Sequence, residues 1–137
     1  MQRRTRKRTE LSLVVASYEM ARELPRTVRS FAPPYQREID SLDYEIVVVD
    51  NGSPTPPDAD TIEALAPGVT VIRADGAEPS PARVVNRAVA ATRGRYVGIV
   101  LDGARMVTPG VLALARLALT MDPNALVTPM AWHLGPD

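Results

Sequence analysis

Tyr44-Glu45-Ile46-Val47-Val48-Val49-Asp50-Asn51-Gly52-Ser53 is the stretch that decides the fold. Ile46 to Val49 form an unbroken apolar run rich in β-branched residues, which is what a strand covered on both faces of a parallel sheet requires. The run stops at once on Asp-Asn-Gly-Ser, a loop rich in hydrogen-bond acceptors and tolerant of left-handed backbone. Asn51-Gly52 also suits a hairpin turn. However, the following Pro54-Thr55-Pro56-Pro57 cannot return as a paired central strand, so the hairpin reading fails. Ligands of open α/β sheets sit just outside the carboxyl ends of the strands, so this polar cluster is the first candidate for a binding site.

Working outward, residues 11–16 read as an earlier strand, ending on Ser17-Tyr18-Glu19. Met20, Leu24, Val28 and Phe31 then recur at helical spacing, and Pro25 sets the start of the regular helix near Leu24. Pro33-Pro34 stops it by Ala32. Beyond the central strand, Asp60-Thr61-Ile62-Glu63 predicts a short helix start that Pro67-Gly68 ends. Residues 69–72 are a third strand and 73–79 a polar loop. Ser80-Pro81 supplies a cap and a first-turn proline for a helix carrying Val84, Val85, Ala88 and Val89 toward the sheet, with Gly94 as its closing residue. Residues 96–101 are expected to be a fourth buried strand, ending on Asp102. Thr108-Pro109 caps a helix over 111–119 that is apolar nearly all round, so cover on more than one side is expected. Residues 125–128 begin a fifth strand, which Pro129 demotes to an edge or bulge.

The reading is therefore α/β: three layers, Rossmann-like, with a mostly parallel sheet of about five strands and right-handed crossovers. Residues 1–9 form a basic flexible tail and 10–137 one domain, large enough for a real core. Five of the sixteen basic residues (Arg3, Arg4, Arg6, Lys7, Arg8) fall in that tail, leaving eleven against sixteen acids in the remainder. The tail reads first as a solvated arm and second as a peripheral contact for acidic lipid headgroups; no nucleic-acid partner is expected. Zero cysteines exclude disulfides, thiolate metal sites and a cysteine nucleophile. No apolar run approaches bilayer length, and the segment after the arginines is too short for an export signal, so a cytoplasmic location is expected. His133, beside Trp132, is a lone terminal histidine and is set aside as structural or exposed.

A dinucleotide-binding domain needs Gly-x-Gly-x-x-Gly after its first strand, and here that turn is Ser-Tyr-Glu-Met; a P-loop is likewise absent. Receiver-type signalling domains need several acids after the first strand, where only Glu19 is present. A nucleotidyltransferase of related fold opens with a Gly-rich loop and a basic residue that this chain lacks.

Four segments in order resemble the family 2 glycosyltransferases of GT-A fold. Val14-Val15-Ala16-Ser17-Tyr18 matches their opening strand and turn, and Val47-Val48-Val49-Asp50-Asn51-Gly52-Ser53 matches the Val-Asp-Asp/Asn-Gly-Ser hallmark. Ala82-Arg83-Val84-Val85-Asn86, followed by Gly94-Arg95-Tyr96-Val97, resembles the Asn-bearing helix and the step after it. Leu101-Asp102-Gly103-Ala104, with Pro109 seven residues after the Asp, resembles the Asp-x-Asp region. The resemblance covers residues 11–119.

That resemblance implies a nucleotide-diphosphate sugar donor and transfer with inversion at the anomeric carbon, to a glycan, lipid or small-molecule acceptor. Carried over, Ala16, Ser17 and Tyr18 would line the nucleoside pocket, with Tyr18 packing on the base. Asp50 and Asn51 would read the base edge and Ser53 would support their loop. Arg83 would contact the diphosphate, and Asp102 would meet the ribose or the metal shell. The chemistry suits these types: an Asn offers both donor and acceptor to a base edge, and a departing diphosphate needs positive charge from a cation or Arg.

Two departures accompany the matches. The second acid of Asp-x-Asp falls on Ala104, whose methyl cannot coordinate Mg2+ or Mn2+, and Asp102 alone makes a poor site. Arg105 follows at once, so Arg105 or Arg83 is the expected source of positive charge. Second, the family's acceptor-binding half and catalytic base lie beyond the Asp-x-Asp region, so this chain reads as the donor-binding half, with the base outside it. The alternative is a non-catalytic nucleotide-binding module that has lost its metal ligand and serves another chain.

Overall fold

The computed structural model describes residues 9–101 and 103–130. The basic tail 1–8, Asp102 and residues 131–137, with His133, lie outside the described residues. Four strands, β1 (Leu11–Ser17), β2 (Tyr44–Asp50), β3 (Val69–Arg73) and β4 (Tyr96–Val100), alternate with four helices, α1 (Leu24–Ser30), α2 (Ala59–Glu63), α3 (Ala82–Ala91) and α4 (Val111–Met121). The strands make one parallel sheet in the order β3-β2-β1-β4. The chain builds β1, β2 and β3 in one direction, then returns across β1 to lay down β4. The strand order therefore reverses between β1 and β4.

Strand alternation divides the core in two. Leu11, Leu13, Val15, Ile46, Val48 and Val69 face the layer made by α1, α2 and α4, where Leu24, Val28, Phe31, Ile62 and Leu112 meet them. Val14, Ala16, Val47 and Val49 face α3 and its Val84, Val85 and Ala88. Both faces of β1 and β2 are thus covered, as their continuous apolar runs demand. Ser12 and Glu45 are paired in register on adjacent strands, and a buried network satisfies them. Ser12 Oγ donates to Glu45 Oε1 (2.7 Å), Arg93 grips Glu45 Oε2 through Nε and Nη2 (2.9 and 2.6 Å), and Gly94 N–H donates to Ser12 Oγ (2.8 Å).

Several expectations are corrected. The sheet has four strands among the described residues, not about five: residues 125–130 are irregular, and Leu126 is 91% exposed. A short run cut by Pro129, with nothing to bury against, has no reason to extend into a ladder. β4 is an edge strand rather than a buried one, with Val97 and Ile99 exposed, because α3 packs on β1 and β2 instead of over β4. Gly94 is not a left-handed helix terminator. A Cβ there would lie 2.5 Å from Ser12 N and Oγ, so the glycine is needed for close approach of two chain segments. α4 starts at Val111 as expected, but its N-cap is Gly110 (φ 93°) rather than Thr108, and Leu114, Leu117 and Met121 on its outer side stay exposed, so α4 is covered on one side only. The cap of α2 is Asp58, whose carboxylate accepts the Thr61 hydroxyl, rather than Asp60.

Candidate functional site

Parallel pairing brings the carboxyl ends of the strands to one rim. Ser17 of β1 stands opposite Asp50 of β2, and Asp50 opposite Arg73 of β3. The reversal of strand order leaves a crevice there between β1 and β4, where open α/β sheets bind their ligands. An open cleft of about 520 Å³ occupies this place. Ala16 and Ser17 line it from the end of β1, Tyr18 and Met20 from the loop after β1, Asn51 from the loop after β2, Leu101 from just past β4, and Ala77, Glu78, Pro79 and Pro81 from the segment between β3 and α3.

The loop after β2 is held from within. Asp50 is buried, and its carboxylate accepts Ser53 N–H (2.9 Å) and Ser53 Oγ–H (2.5 Å). Ser53 Oγ in turn accepts Glu19 N–H (2.8 Å), which secures Glu19 at a left-handed φ of 54° beside Tyr18. Asp50 thus spends both oxygens on its own loop, and Ser53 ties that loop to Glu19.

Asn51 reaches across to the next segment. Its Nδ2 donates to Glu78 O (2.9 Å), and its Oδ1 accepts Glu78 N–H (3.4 Å). One amide hydrogen and one lone pair stay unspent. Gly52 has φ 72°, and a Cβ on it would sit 2.3 Å from the Gly76 carbonyl carbon, so only glycine lets the two rim loops close together.

Ser17 is the nearest thing to an open valence. Among the described residues its Oγ is the buried side-chain oxygen that makes no hydrogen bond, and Ser17 lies on the cleft wall. An unpaired buried hydroxyl costs stability unless something is recovered on binding. Tyr18, 41% exposed, offers a ring face at the same wall.

Arg83 stands in the first turn of α3, outside the cleft lining, with Nη1 3.1 Å from Glu78 Oε1. The segment after β4 is anchored from α1: Thr27 Oγ1 donates to Gly103 O (2.6 Å), and Ser30 Oγ accepts Val107 N–H (3.3 Å). Buried Gln36 donates to Thr108 O (3.0 Å) and accepts Gly110 N–H (3.2 Å). These bonds position Ala104 and the exposed Arg105. Asp102 falls outside the described residues. Among those that are described, no group of three carboxylates, histidines or cysteines could hold a metal.

Six lining residues were not among the site residues expected from sequence: Met20, Ala77, Glu78, Pro79, Pro81 and Leu101. The usable signal was position alone, since a polar loop following a parallel strand opens on the same rim.

The fold is that of solved structures of TarS from S. aureus. TarS 1–349 superposes with a TM-score of 0.69 at 18% identity, covering 88% of this chain and 38% of that one. TarS 1–349 in complex with UDP-GlcNAc gives 0.70 at 19%, covering 88% and 37%, and the complex with UDP gives 0.69 at 18%, covering 88% and 38%. This chain therefore spans well under half the length of those structures. No curated protein matches it in sequence. The family described as Glycosyl transferase family 2 matches residues 12–126, and this chain belongs to that family.

Proposed function

We propose that this chain supplies the donor-binding half of an inverting glycosyltransferase that uses a nucleotide-diphosphate sugar. The observation that carries the reading is the cleft at the reversal of strand order, with the unspent Ser17 hydroxyl and the Tyr18 ring on one wall. The fold shared with the UDP-GlcNAc and UDP complexes of TarS supports it.

In this reading Ala16, Ser17 and Tyr18 hold the nucleoside, Tyr18 by stacking on the base. Asp50 and Ser53 keep the rim loop in shape, and Asn51 turns its remaining donor and acceptor to the base edge. Asp102 meets the ribose. A base outside these residues takes the proton of the acceptor hydroxyl, whose oxygen attacks the anomeric carbon from the face opposite the leaving group. The carbon–oxygen bond to the diphosphate breaks, and the nucleoside diphosphate leaves with the electron pair. The acceptor, whether glycan, lipid or small molecule, is bound by the remainder of the enzyme.

Family members commonly place a divalent cation at the diphosphate. The residues here do not fit one: Ala104 presents a methyl where a carboxylate ligand is expected, and the described residues hold no donor cluster. The positive charge for the leaving group is assigned instead to Arg83 and Arg105. Among the described residues no helix is long and apolar enough to cross a membrane. We place the protein in the cytoplasm, with the basic tail first a solvated arm and second, through Arg3–Arg8, a peripheral contact for acidic headgroups. The alternative of a non-catalytic module is not favoured, given the family match over most of the chain.

Calorimetric titration with UDP-GlcNAc is the test. Binding is expected, unchanged by EDTA, and weakened roughly 5- to 100-fold by Tyr18→Ala, the worth of one stacked base. No sugar transfer is expected from these 137 residues alone. Absence of binding to any nucleoside diphosphate at millimolar concentration would end the proposal, and a large loss on adding EDTA would end the metal-free part of it.

A further inference from the structure

Glu78 is the charged residue on the cleft wall, and it carries two separate sets of contacts. Its main chain is clamped on both sides by the Asn51 amide and followed by Pro79. Its carboxylate is held by neither, and pairs with Arg83 at 3.1 Å, where the two side chains are 39% and 81% exposed. The carboxylate can therefore leave the guanidinium by rotating its own side chain, without moving the wall.

We infer that Glu78 is a specificity-determining residue: it occupies Arg83 while the cleft is empty and yields it to a diphosphate. The inference rests on the proposed donor site and adds a competitor to it. An exposed ion pair is weak and screened by salt, so releasing it costs little. A diphosphate carries more negative charge than one carboxylate and accepts the guanidinium in the bidentate manner that Arg favours. An uncharged nucleoside has nothing to offer Arg83 and leaves the pair intact. Glu78 thus sets a threshold that depends on the ligand's charge and acts against the phosphate end alone.

The experiment measures uridine and UDP affinities for wild type, Glu78→Gln, Arg83→Gln and the double variant, at low and high salt. Glu78→Gln keeps the main chain that Asn51 clamps and removes only the charge. The UDP-to-uridine affinity ratio is expected to rise about 2- to 5-fold in Glu78→Gln at low salt, the range open to an exposed pair. The gain should vanish at high salt and in the Arg83→Gln background. A ratio that falls in Glu78→Gln would overturn the inference by placing the carboxylate on the ligand. A gain that persists without Arg83 would overturn it by showing that the pair is irrelevant. Wild type that binds neither ligand removes the donor-site reading itself, whereas uridine binding with an unaltered ratio removes only the role of Glu78.

Discussion

Val48 in β2 and Ile99 in β4 are β-branched residues in strands of one sheet, yet Val48 is fully buried and Ile99 is 51% exposed. Leu24 in α1 and Leu114 in α4 repeat the contrast on helices, at 0% and 68%. The side chains are of one kind; their neighbours differ. β1 and β2 lie between two helical layers, whereas β4 packs Tyr96 and Val100 against one layer and leaves Val97 and Ile99 open on the other face. The two edges differ in the same sense. At the β3 edge, Glu63 Oε1 accepts Val71 N–H (2.8 Å), so a carboxylate caps the ladder and α2 packs alongside. Apolar pattern reports what a segment can bury, and only the fold decides how much of it is buried.

The largest expected effect tests this directly. Leu24→Ala should cost about 2–5 kcal/mol, as large-to-small changes do in closed cores. Leu114→Ala should stay within about 0.5 kcal/mol, as surface changes do. Urea unfolding of both variants gives the comparison, and equal losses would mean that something covers α4 in solution.

Gly94→Ala comes next, because it strikes the joint between centre and flank. The added Cβ meets Ser12 N and Oγ at 2.5 Å and the Tyr96 carbonyl at 2.7 Å, all held by the sheet. A cost of about 1–3 kcal/mol is expected from overpacking, read as a drop in thermal midpoint. Indifference to the methyl would show that β4 docks more loosely than β1 and β2.

What could be read in the residues follows the same division. The Ile46–Val49 run, the Asp50-Asn51-Gly52-Ser53 loop and the Pro25 helix start are local signals, and the structure bears each out. The three-layer order and the shared rim followed from them by general rules of parallel sheets. Glu78 and Gln36 were not legible. Glu78 matters because Asn51, 27 residues away, clamps its main chain; Gln36 matters because Gly110, 74 residues away, needs an acceptor. Nothing in a local window announces such pairs. The exposure of β4 was hidden for the same reason, since Tyr96-Val97-Gly98-Ile99-Val100 reads as a buried strand until the position of α3 is known.

The Glu45 network links the two regions through charge. Burial pushes the Glu45 carboxyl up, but hydrogen bonds from Ser12 Oγ, Arg93 N–H and the Arg93 guanidinium outweigh it and hold the group below the ordinary glutamate value. A carboxyl depressed in the folded state stabilises fully above its unfolded pKa, and that contribution is lost as pH falls through the folded value. Stability should therefore decline from the ordinary glutamate range downward, and Glu45→Gln should flatten that decline. An unchanged acid slope in the variant would assign the loss to other carboxylates.

Ile99→Thr carries the smallest expected effect and the sharpest meaning. At the centre of the sheet such a change strands a hydroxyl in an apolar layer and costs heavily. On β4 the new hydroxyl faces water and β-branching is kept, so stability should change by no more than about 0.5 kcal/mol. The matched change Val48→Thr, also β-branched but at 0% exposure, should cost about 1–3 kcal/mol for the unsatisfied hydroxyl. Denaturation curves of the two variants side by side read the difference between the regions with one kind of substitution. If Ile99→Thr proved as damaging as Val48→Thr, the open face of β4 would have to be closed in solution, and the contrast between centre and flank would fail at its weakest point.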